Sequence, residues 1–294
     1  MIETLKKYKR AYKNWPSVIF QMYRARKDTR RNILVKTRDG FVGAMKPEEC
    51  WIFSLNSMVS KTFKNGVFLN DTVEYNGKTI VLHGINDKNG DVIAIFYREE
   101  YKHLIGDVDV VVDIGANIGD SAIYFALNGV SKVIALEPYP YTHDLAQKNV
   151  RENRLEDRII LLNAGYGTDS IIHVSEDINS GIAHSLIASE EGREIRIYSL
   201  KSLIEKYGIR DANLKMDCEG CEYDIVNESS DILRKFNKMI IEYHYGPDRI
   251  VRKLKESGFD VEFTEPKKSH NEHAANKTMF YGLIYATRKQ MITK

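Results

Sequence analysis

One stretch of this 294-residue chain constrains its fold more than any other: Val110–Ser121, which reads VVVDIGANIGDS. An apolar run that ends on a carboxylate and two spaced glycines, and then enters a helical pattern, is typical of a buried parallel strand turning tightly over a ligand. The next apolar run ends at Glu137, 18 residues after Gly119, where a carboxylate can accept hydrogen bonds from both ribose hydroxyls. The pattern predicts a nucleoside site at the C-terminal edge of a doubly wound sheet.

The chemistry of this loop favours a cofactor without phosphates. A dinucleotide site would show G-x-G-x-x-G, whose backbone amides and helix N-terminus hold a pyrophosphate. In this chain Asn117 stands in place of the middle glycine, and Asp120 stands at the mouth of the helix. An acidic residue there favours the helix dipole but repels a diphosphate. The loop therefore favours S-adenosylmethionine, with its sulfonium and ammonium groups, over NAD.

From residue 101 onward, expected strands alternate with expected helices, which is typical of a parallel sheet with crossover helices. Residues 101–294 are therefore expected to form the cofactor-binding domain, an α/β, doubly wound and mostly parallel sheet. The expected strands are 109–113, 132–137, 158–163, 213–217 and 238–243; the expected helices are 120–128, 141–153, 200–207, 222–229 and 247–257; and 261–263 pairs with 279–285 in an antiparallel end to the sheet.

Two further regions are expected before this domain. Residues 1–31 have the period of helices and form a basic amphipathic arm, whereas 32–100 have the two-residue period of strands and form a small β-rich region. Within it, Asn76-Gly77 is the preferred residue pair of a type I′ hairpin turn. The apolar run Val92–Tyr97 is expected to add a strand.

The first 38 residues carry twelve Lys or Arg and two acidic residues, although the whole chain has a formal net charge of only +2. Apolar and aromatic residues recur along one helical face of this segment, at Leu5, Tyr8, Tyr12, Trp15 and Ile19. We expect that face to dock on the protein or remain solvated, with contact to an anionic membrane surface as an alternative. A nucleic-acid partner is the least favoured reading.

The composition predicts an ordinary globular protein of the reducing cytoplasm, with peripheral membrane contact left open. No apolar stretch approaches the ~20 residues that span a bilayer, and no secretory signal is expected. With three cysteines, a disulfide framework is not expected. Cys218 and Cys221 form a C-x-x-C motif that we interpret as two small packing residues, since a zinc site lacks its second pair; a redox role stays open.

Acidic residues and a histidine follow two expected strands at the same edge of the sheet. Asp217 and Glu219 come directly after strand 213–217, over the same crevice as the glycine loop, while Glu222 is explained by the start of a helix. Glu242 and His244 fall on one side of the next strand. His184 is a second histidine candidate, within the polar stretch 177–192 that is expected to form a loop over the site.

The ordered set of motifs resembles the FkbM family of S-adenosylmethionine-dependent methyltransferases. It comprises DIGANIGD, ALEP, NAG, KMDCEGCE and IIEYH, and it covers roughly residues 100 to 265. The resemblance implies a class I methyltransferase fold, which is Rossmann-like, and O-methylation of sugar or polyketide hydroxyls. By position, it implies cofactor contacts from Asp113, Gly115, Asn117 and Gly119 at the methionine end, from Glu137 at the ribose, and from Asn163 and Ala164 beside the adenine.

The sequence thus predicts methyl transfer from S-adenosylmethionine to a hydroxyl of a sugar, a glycolipid or another small acceptor. His244 is the expected base, with Asp217 second, and Glu219 and Glu242 complete the catalytic set. A divalent metal held by Asp217 and Glu219 could instead lower the pKa of the hydroxyl. Two alternatives stay open: an RNA ribose methyltransferase guided by the basic arm, and a cofactor-binding protein without turnover.

Overall fold

The computed structural model describes residues 2–25, 31–58, 63–64, 67–68, 72–85, 91–176, 186–270 and 278–290. His184 and most of the stretch expected to form a loop over the site therefore lie outside the described residues. The chain divides into two compact units, Met1–Glu100 and Tyr101–Lys294. No helix in the described ranges is long and apolar enough to cross a membrane.

Within its described residues, the first unit contains three helices, three two-stranded antiparallel hairpins and one π-helical turn. They are α1 (Ile2–Ala11), α2 (Trp15–Ala25), β1 (Ile33–Lys36), β2 (Val42–Met45), α3 (Pro47–Asn56), β3 (Phe63–Lys64), β4 (Val67–Phe68), β5 (Thr72–Tyr75), β6 (Lys78–Val81) and the π-helical turn Ile93–Tyr97. Asn76 and Gly77 both have positive φ between β5 and β6, which confirms the expected hairpin turn.

The expected arm and the β-rich region are not separate in this unit. Tyr8 of α1, Tyr12 directly after it, Val18 of α2, and residues of β1, β2 and α3 form one hydrophobic cluster. The Tyr12 hydroxyl also donates a hydrogen bond to the Cys50 carbonyl, 2.8 Å away. Across the expected boundary at residue 31, the apolar face of the helices therefore packs against the following strands and α3.

Two local predictions in this unit are wrong. Val92–Tyr97 was expected as a strand, but Arg98 N donates to Ile93 O at 2.9 Å, the i→i+5 bond of a π-helix. A six-residue apolar run does not by itself distinguish a buried strand from a buried helix. Helix α3 was not predicted, although Pro47 at its first turn and the bond from Lys46 N to the Glu49 carboxylate are typical start signals.

The second unit alternates strands and helices around a central sheet. Its elements are a 3₁₀ turn (Lys102–Leu104), β7 (Val110–Ile114), α4 (Asp120–Leu127), β8 (Lys132–Leu136), α5 (Pro140–Glu152), β9 (Ile159–Leu162), β10 (Ala164–Tyr166), β11 (Ser170–Val174), β12 (Arg193–Tyr198), α6 (Leu200–Tyr207), β13 (Ala212–Met216), a 3₁₀ helix (Cys221–Asn227), α7 (Ser230–Leu233), β14 (Phe236–Tyr243), α8 (Asp248–Glu256), β15 (Phe259–Phe263), β16 (Lys267–His270) and β17 (Thr278–Arg288).

The central sheet runs in the order β15-β17-β14-β13-β7-β8-β9, with β16 also paired to β17. The five strands from β14 to β9 are parallel, and β17 is antiparallel to both β14 and β15. Strand order reverses between β7 and β13, so the carboxyl ends of these two strands flank the crevice where ligands bind in such sheets. The expected fold class is confirmed, including the antiparallel end of the sheet.

Several features of this unit differ from expectation, among them α7 and β16, which were not predicted. A separate three-stranded sheet, β10-β12-β11, was not predicted, because β12 pairs with segments distant along the chain. The expected helix over 222–229 is a 3₁₀ helix, Cys221–Asn227. Glu222 and Ile225 are both buried, and a three-residue turn places side chains three apart on the same face.

Gly115, directly after β7, is the position in this sheet that tolerates a side chain least. Its φ is +79°, and a Cβ there would lie 1.7 Å from the Asp217 carbonyl oxygen. Gly129 shares a positive φ of +94°, but a Cβ there meets nothing within 4 Å. Substitutions at the two glycines therefore distinguish the cost of backbone strain, which both share, from the cost of a steric clash, which only Gly115 has.

We predict that Gly115→Ala lowers the free energy of unfolding by at least roughly 3 kcal/mol. The ends of β7 and β13 must move apart to admit the methyl group, and alanine must also adopt a strained positive φ. The matched Gly129→Ala should cost only about 1–2 kcal/mol. Urea unfolding of both variants measures the difference. Equal losses in the two variants would contradict the close approach of β7 and β13.

Candidate active site

The loop between β7 and α4 is bent by three left-handed residues, Gly115, Asn117 and Gly119, with φ of +79°, +46° and +83°. The amides of Gly115 and Ala116 both donate to the Leu136 carbonyl, at 3.0 and 2.9 Å. These bonds tie the loop to the end of β8. The glycine loop and the second expected cofactor strand therefore meet at one edge of the sheet.

Glu137 joins the loops that follow β7 and β8. Its side chain is buried, one carboxylate oxygen accepts the Asn117 amide at 3.0 Å, and the other accepts the Tyr139 amide at 3.0 Å. The Asn163 side-chain amide donates to the Glu137 and Pro138 carbonyls, at 3.0 and 2.9 Å. Ala164 follows, with its amide 3.3 Å from the Glu137 carbonyl.

A buried ion pair lies under the glycine loop. Lys215 Nζ is 3.1 Å from the Asp113 carboxylate and donates to the Gly115 carbonyl at 2.6 Å. The second Asp113 oxygen accepts the Ser121 hydroxyl at 2.6 Å. Burial alone lowers the pKa of Lys215, but the Asp113 and Asp217 charges outweigh it, so the pKa lies above its ordinary value. Asp113, expected at the cofactor, is thus fully buried in a bond network that supports the loop.

Sequence reasoning assigned no role to Lys215. The available signal is a lysine directly between two apolar residues, Leu214 and Met216, in an expected buried strand. A buried lysine needs a charged partner. Asp113, in register opposite Lys215 on the neighbouring strand, supplies it.

The glycine loop leaves hydrogen-bond acceptors in place for a cationic ligand. The Asn117 side-chain oxygen is buried and has no hydrogen-bond partner within the described part of the chain. Asp120 is buried at the start of α4, with one carboxylate oxygen 3.0 Å from the Ser121 amide. An acceptor oxygen and a carboxylate suit the ammonium and sulfonium of S-adenosylmethionine and disfavour a diphosphate. The residues present therefore fit that cofactor.

Burial raises the pKa of Asp120 to about 6, although the Lys215 charge and the Ser121 amide oppose the shift. The folded protein thus holds this proton to a higher pH than the unfolded chain, whose carboxyl titrates near 3.8. Between those values the folded state binds more protons, so the contribution of Asp120 to stability falls as pH rises.

A second cluster lies where β13 and β14 end. One ligand atom each of Asp217, Glu219 and His244 lies within 4.8 Å of the other two. His244 Nε2 is 3.4 Å from the Glu219 carboxylate and 3.9 Å from that of Asp217. The Asp217 amide donates to the Ile114 carbonyl at 3.0 Å, which places this cluster beside the glycine loop.

Glu222 contacts the cluster at His244 and is a second residue whose role sequence reasoning missed. Its fully buried carboxylate is 2.8 Å from His244 Nδ1 and accepts the His244 amide at 3.1 Å and the Gly220 amide at 2.8 Å. It therefore binds the loop after β13 to the end of β14. The E-G-C-E spacing offered a signal, but an acidic residue at a helix start has a simpler explanation.

The charge on His244 follows from these contacts. Burial lowers its pKa, but hydrogen bonds and charges from Glu219 and Glu222 outweigh burial, so the pKa stands well above the ordinary 6.5. At neutral pH, without a metal, the ring is therefore an imidazolium that donates from both nitrogens. Glu242, half-buried in β14 and paired in register with Leu283, is not a member of this three-residue cluster.

Cys218 and Cys221 form a disulfide, with Cα atoms 5.5 Å apart. This corrects the expectation of two separate packing residues. Glu219 and Gly220 both have positive φ, +56° and +125°, and this turn brings the two cysteines within bonding range. The bridge closes the loop that carries Glu219 and so restrains that carboxylate near His244.

The family model described as "Methyltransferase FkbM domain" matches residues 113–265, just over half of the chain. The chain belongs to the FkbM methyltransferase family. The match begins at Asp113 and includes the glycine loop, the β13 loop and His244. The expected family is confirmed, and with it a Rossmann-like, S-adenosylmethionine-dependent methyltransferase.

Two proteins similar to this FkbM-family chain are named for different methyl acceptors. It is 28% identical over 188 residues to the hexuronic acid methyltransferase AglP of Haloferax volcanii, covering 62% of this chain and 74% of that protein. It is 31% identical to the tRNA (guanine(37)-N(1))-methyltransferase Trm5b of Methanocaldococcus jannaschii, over 40% of this chain and only 36% of that protein. The solved structure of M. jannaschii TYW2 in complex with AdoMet aligns over 74% of this chain and 86% of that chain, at 16% identity and a TM-score of 0.38.

We predict that Asp120→Asn stabilises the protein at neutral pH, because it removes a buried carboxylate that must ionise. The gain in unfolding free energy over wild type should grow by roughly 3 kcal/mol between pH 4 and pH 7.5. Denaturant unfolding across that range measures it, with the exposed Asp231→Asn as a control that changes little. A gain that does not depend on pH would contradict the raised pKa of Asp120.

Proposed function

We propose that this FkbM-family protein methylates a hydroxyl group on a sugar or a similar polar small molecule. The observation that carries the proposal is the cluster of Asp217, Glu219 and His244 at the edge of the sheet, next to the glycine loop. The name of the Haloferax relative, a hexuronic acid methyltransferase, supports the sugar class. Bound S-adenosylmethionine supplies a methyl group on a sulfonium that is already a good leaving group, so positioning accounts for most of the acceleration.

Asp217 is the proposed base. Its side chain is 32% exposed, the most accessible of the cluster, whereas that of His244 is only 2% exposed. The sequence favoured His244, but its raised pKa leaves no lone pair at neutral pH to accept a proton. As an imidazolium, His244 instead holds the carboxylates of Asp217 and Glu219 in place. Asp217 then takes the hydroxyl proton as the oxygen becomes more acidic during attack.

A divalent cation defines an alternative form of this proposal, in which the ion replaces the proton on His244 Nε2 and Asp217 is a ligand instead of the base. Asp217, Glu219 and His244 offer two oxygens and one nitrogen, a donor set that divalent metals accept. Glu222 on Nδ1 would orient the ring so that Nε2 faces the ion, as carboxylates do behind metal-binding histidines. A metal there would lower the pKa of the acceptor hydroxyl and offset repulsion between an anionic acceptor and the two carboxylates.

For the catalytic role, we expect Asp217→Asn to lower kcat with a glucuronoside acceptor by about 10²-fold or more, since it removes the base but keeps the shape. Cofactor affinity, measured by calorimetry with S-adenosylhomocysteine, should stay within a few-fold. The control is Asp231→Asn, an exposed carboxylate on α7, which should keep full activity. A near wild-type kcat for Asp217→Asn would eliminate this residue as the base.

The metal is tested separately by chelation. If a cation is bound, prior treatment with EDTA should abolish turnover, and Mg²⁺ or Mn²⁺ should restore it in wild type but not in Glu219→Gln. Turnover that survives chelation unchanged would favour the imidazolium form of His244 acting without a metal. The methyltransferase proposal itself fails if no hydroxyl acceptor is methylated under either condition.

A further inference from the structure

The first unit exposes an unusual set of large apolar side chains. Among the described residues up to position 100, Phe20, Tyr23, Leu34 and Val42 are each more than 60% exposed, and Leu5 and Trp51 more than 40%. Single exposed apolar residues need no explanation, but several on one small unit indicate an interaction surface.

These are largely not the residues that the helical periodicity selected. Tyr8 and Tyr12 are buried in the core of the unit, and Trp15 and Ile19 pack against it; of the five residues on that face, only Leu5 is exposed. The helical face that was predicted to dock on the protein packs against other elements of the same unit. The exposed surface is therefore a separate feature that the fold creates.

Helix α2 presents one part of this surface. Phe20, Tyr23 and Arg24 follow the i, i+3, i+4 spacing of one helix face, and all three are exposed. The Arg24 guanidinium lies 5.8 Å from the centre of the Phe20 ring. Asn14 and Gln21, on another side, hydrogen-bond the backbone of β1 and cover its open edge. The Phe20 face is not used in that contact.

The hairpin β1-β2 presents a second part. Its burial alternates, with Ile33 and Val35 facing the core and Leu34 and Lys36 facing outward. Val42 pairs with Lys36 in register and is 68% exposed. The outer face of the hairpin thus combines aliphatic and basic side chains, like the outer face of α2.

The charge of this unit is complementary to an anionic partner. Residues 1–38 carry twelve basic and two acidic side chains. Within the described ranges, the exposed basic residues of this segment are Lys6, Lys9, Arg10, Lys13, Arg24, Arg31, Lys36 and Arg38. Lys46, just beyond the segment, is exposed as well. RNA would satisfy the charges but offers little to exposed aliphatic residues such as Leu34 and Val42. An anionic bilayer accepts both, because its headgroups attract lysine and arginine while apolar side chains enter the boundary.

We propose that the first unit binds the surface of anionic membranes through the outer faces of α2 and the β1-β2 hairpin. Phe20, Tyr23, Leu34 and Val42 enter the headgroup boundary, and the surrounding basic residues contact anionic lipid headgroups. The attachment is peripheral and reversible. The residues of this surface and those proposed for methyl transfer belong to different units, so each proposal is tested independently of the other.

The test uses the full chain and vesicles of phosphatidylcholine alone or with about 30% phosphatidylserine. Co-sedimentation should detect binding to the anionic vesicles at least tenfold stronger than to the neutral ones, and about 0.5 M salt should reverse most of it. Phe20→Ser with Tyr23→Ser should weaken binding at least fivefold. Ile171→Ser is the matched control, since Ile171 is 55% exposed but lies on the second unit.

A measurement on the unaltered chain guards against misfolded variants. Both tryptophans of the protein, Trp15 and Trp51, lie in the first unit, so tryptophan emission reports on it alone. Anionic vesicles should shift that emission to the blue, and brominated lipid should quench it. Equal binding to both vesicle types, or displacement from vesicles by single-stranded RNA at lower concentration than by anionic lipid, would each overturn the proposal.

Discussion

The buried carboxylate of Glu222 is the contact on which the site depends. It accepts hydrogen bonds from the His244 ring, the His244 amide and the Gly220 amide, and so joins the loop after β13 to the end of β14. A buried carboxylate is stable only when it is paired and hydrogen-bonded, and this one has both. Because Glu222 fixes the ring through Nδ1, Nε2 is left to face Asp217 and Glu219.

The Asp113–Lys215 ion pair plays a matching part under the cofactor loop, since it connects β7 to β13 and also holds the Gly115 carbonyl. Buried ion pairs of this kind contribute little net stability, because desolvation offsets their attraction. Their effect is geometric: they allow few arrangements of the strand ends. The close approach of Gly115 to Asp217 places the cofactor loop beside the acidic cluster, so that both lie at one edge of the sheet.

The sequence was sufficient for features that depend on local periodicity. The five parallel strands, helices α4, α5 and α6 and the Asn76-Gly77 turn agree with expectation to within one or two residues, and the carboxylates cluster as the switch-point rule requires. It was insufficient where a contact between distant residues decides the outcome. A lysine at position 215 of a buried strand is explained only by its ion pair with Asp113. The role of Glu222 is explained only by its contact with His244, because its position alone is typical of a helix start. The apolar run at Val92–Tyr97 is compatible with either a strand or a helix.

The central claim is that Glu222 keeps His244 protonated and directed at the carboxylates. Nitrogen-15 NMR of the histidine rings in chelator-treated protein tests it directly, with the His244 signals assigned by their loss in His244→Gln. The account predicts a His244 pKa well above the ordinary 6.5 in the wild type, and a lower pKa in Glu222→Gln, which removes one of the two carboxylates that raise it. A neutral His244 ring at pH 7 in the wild type would contradict it.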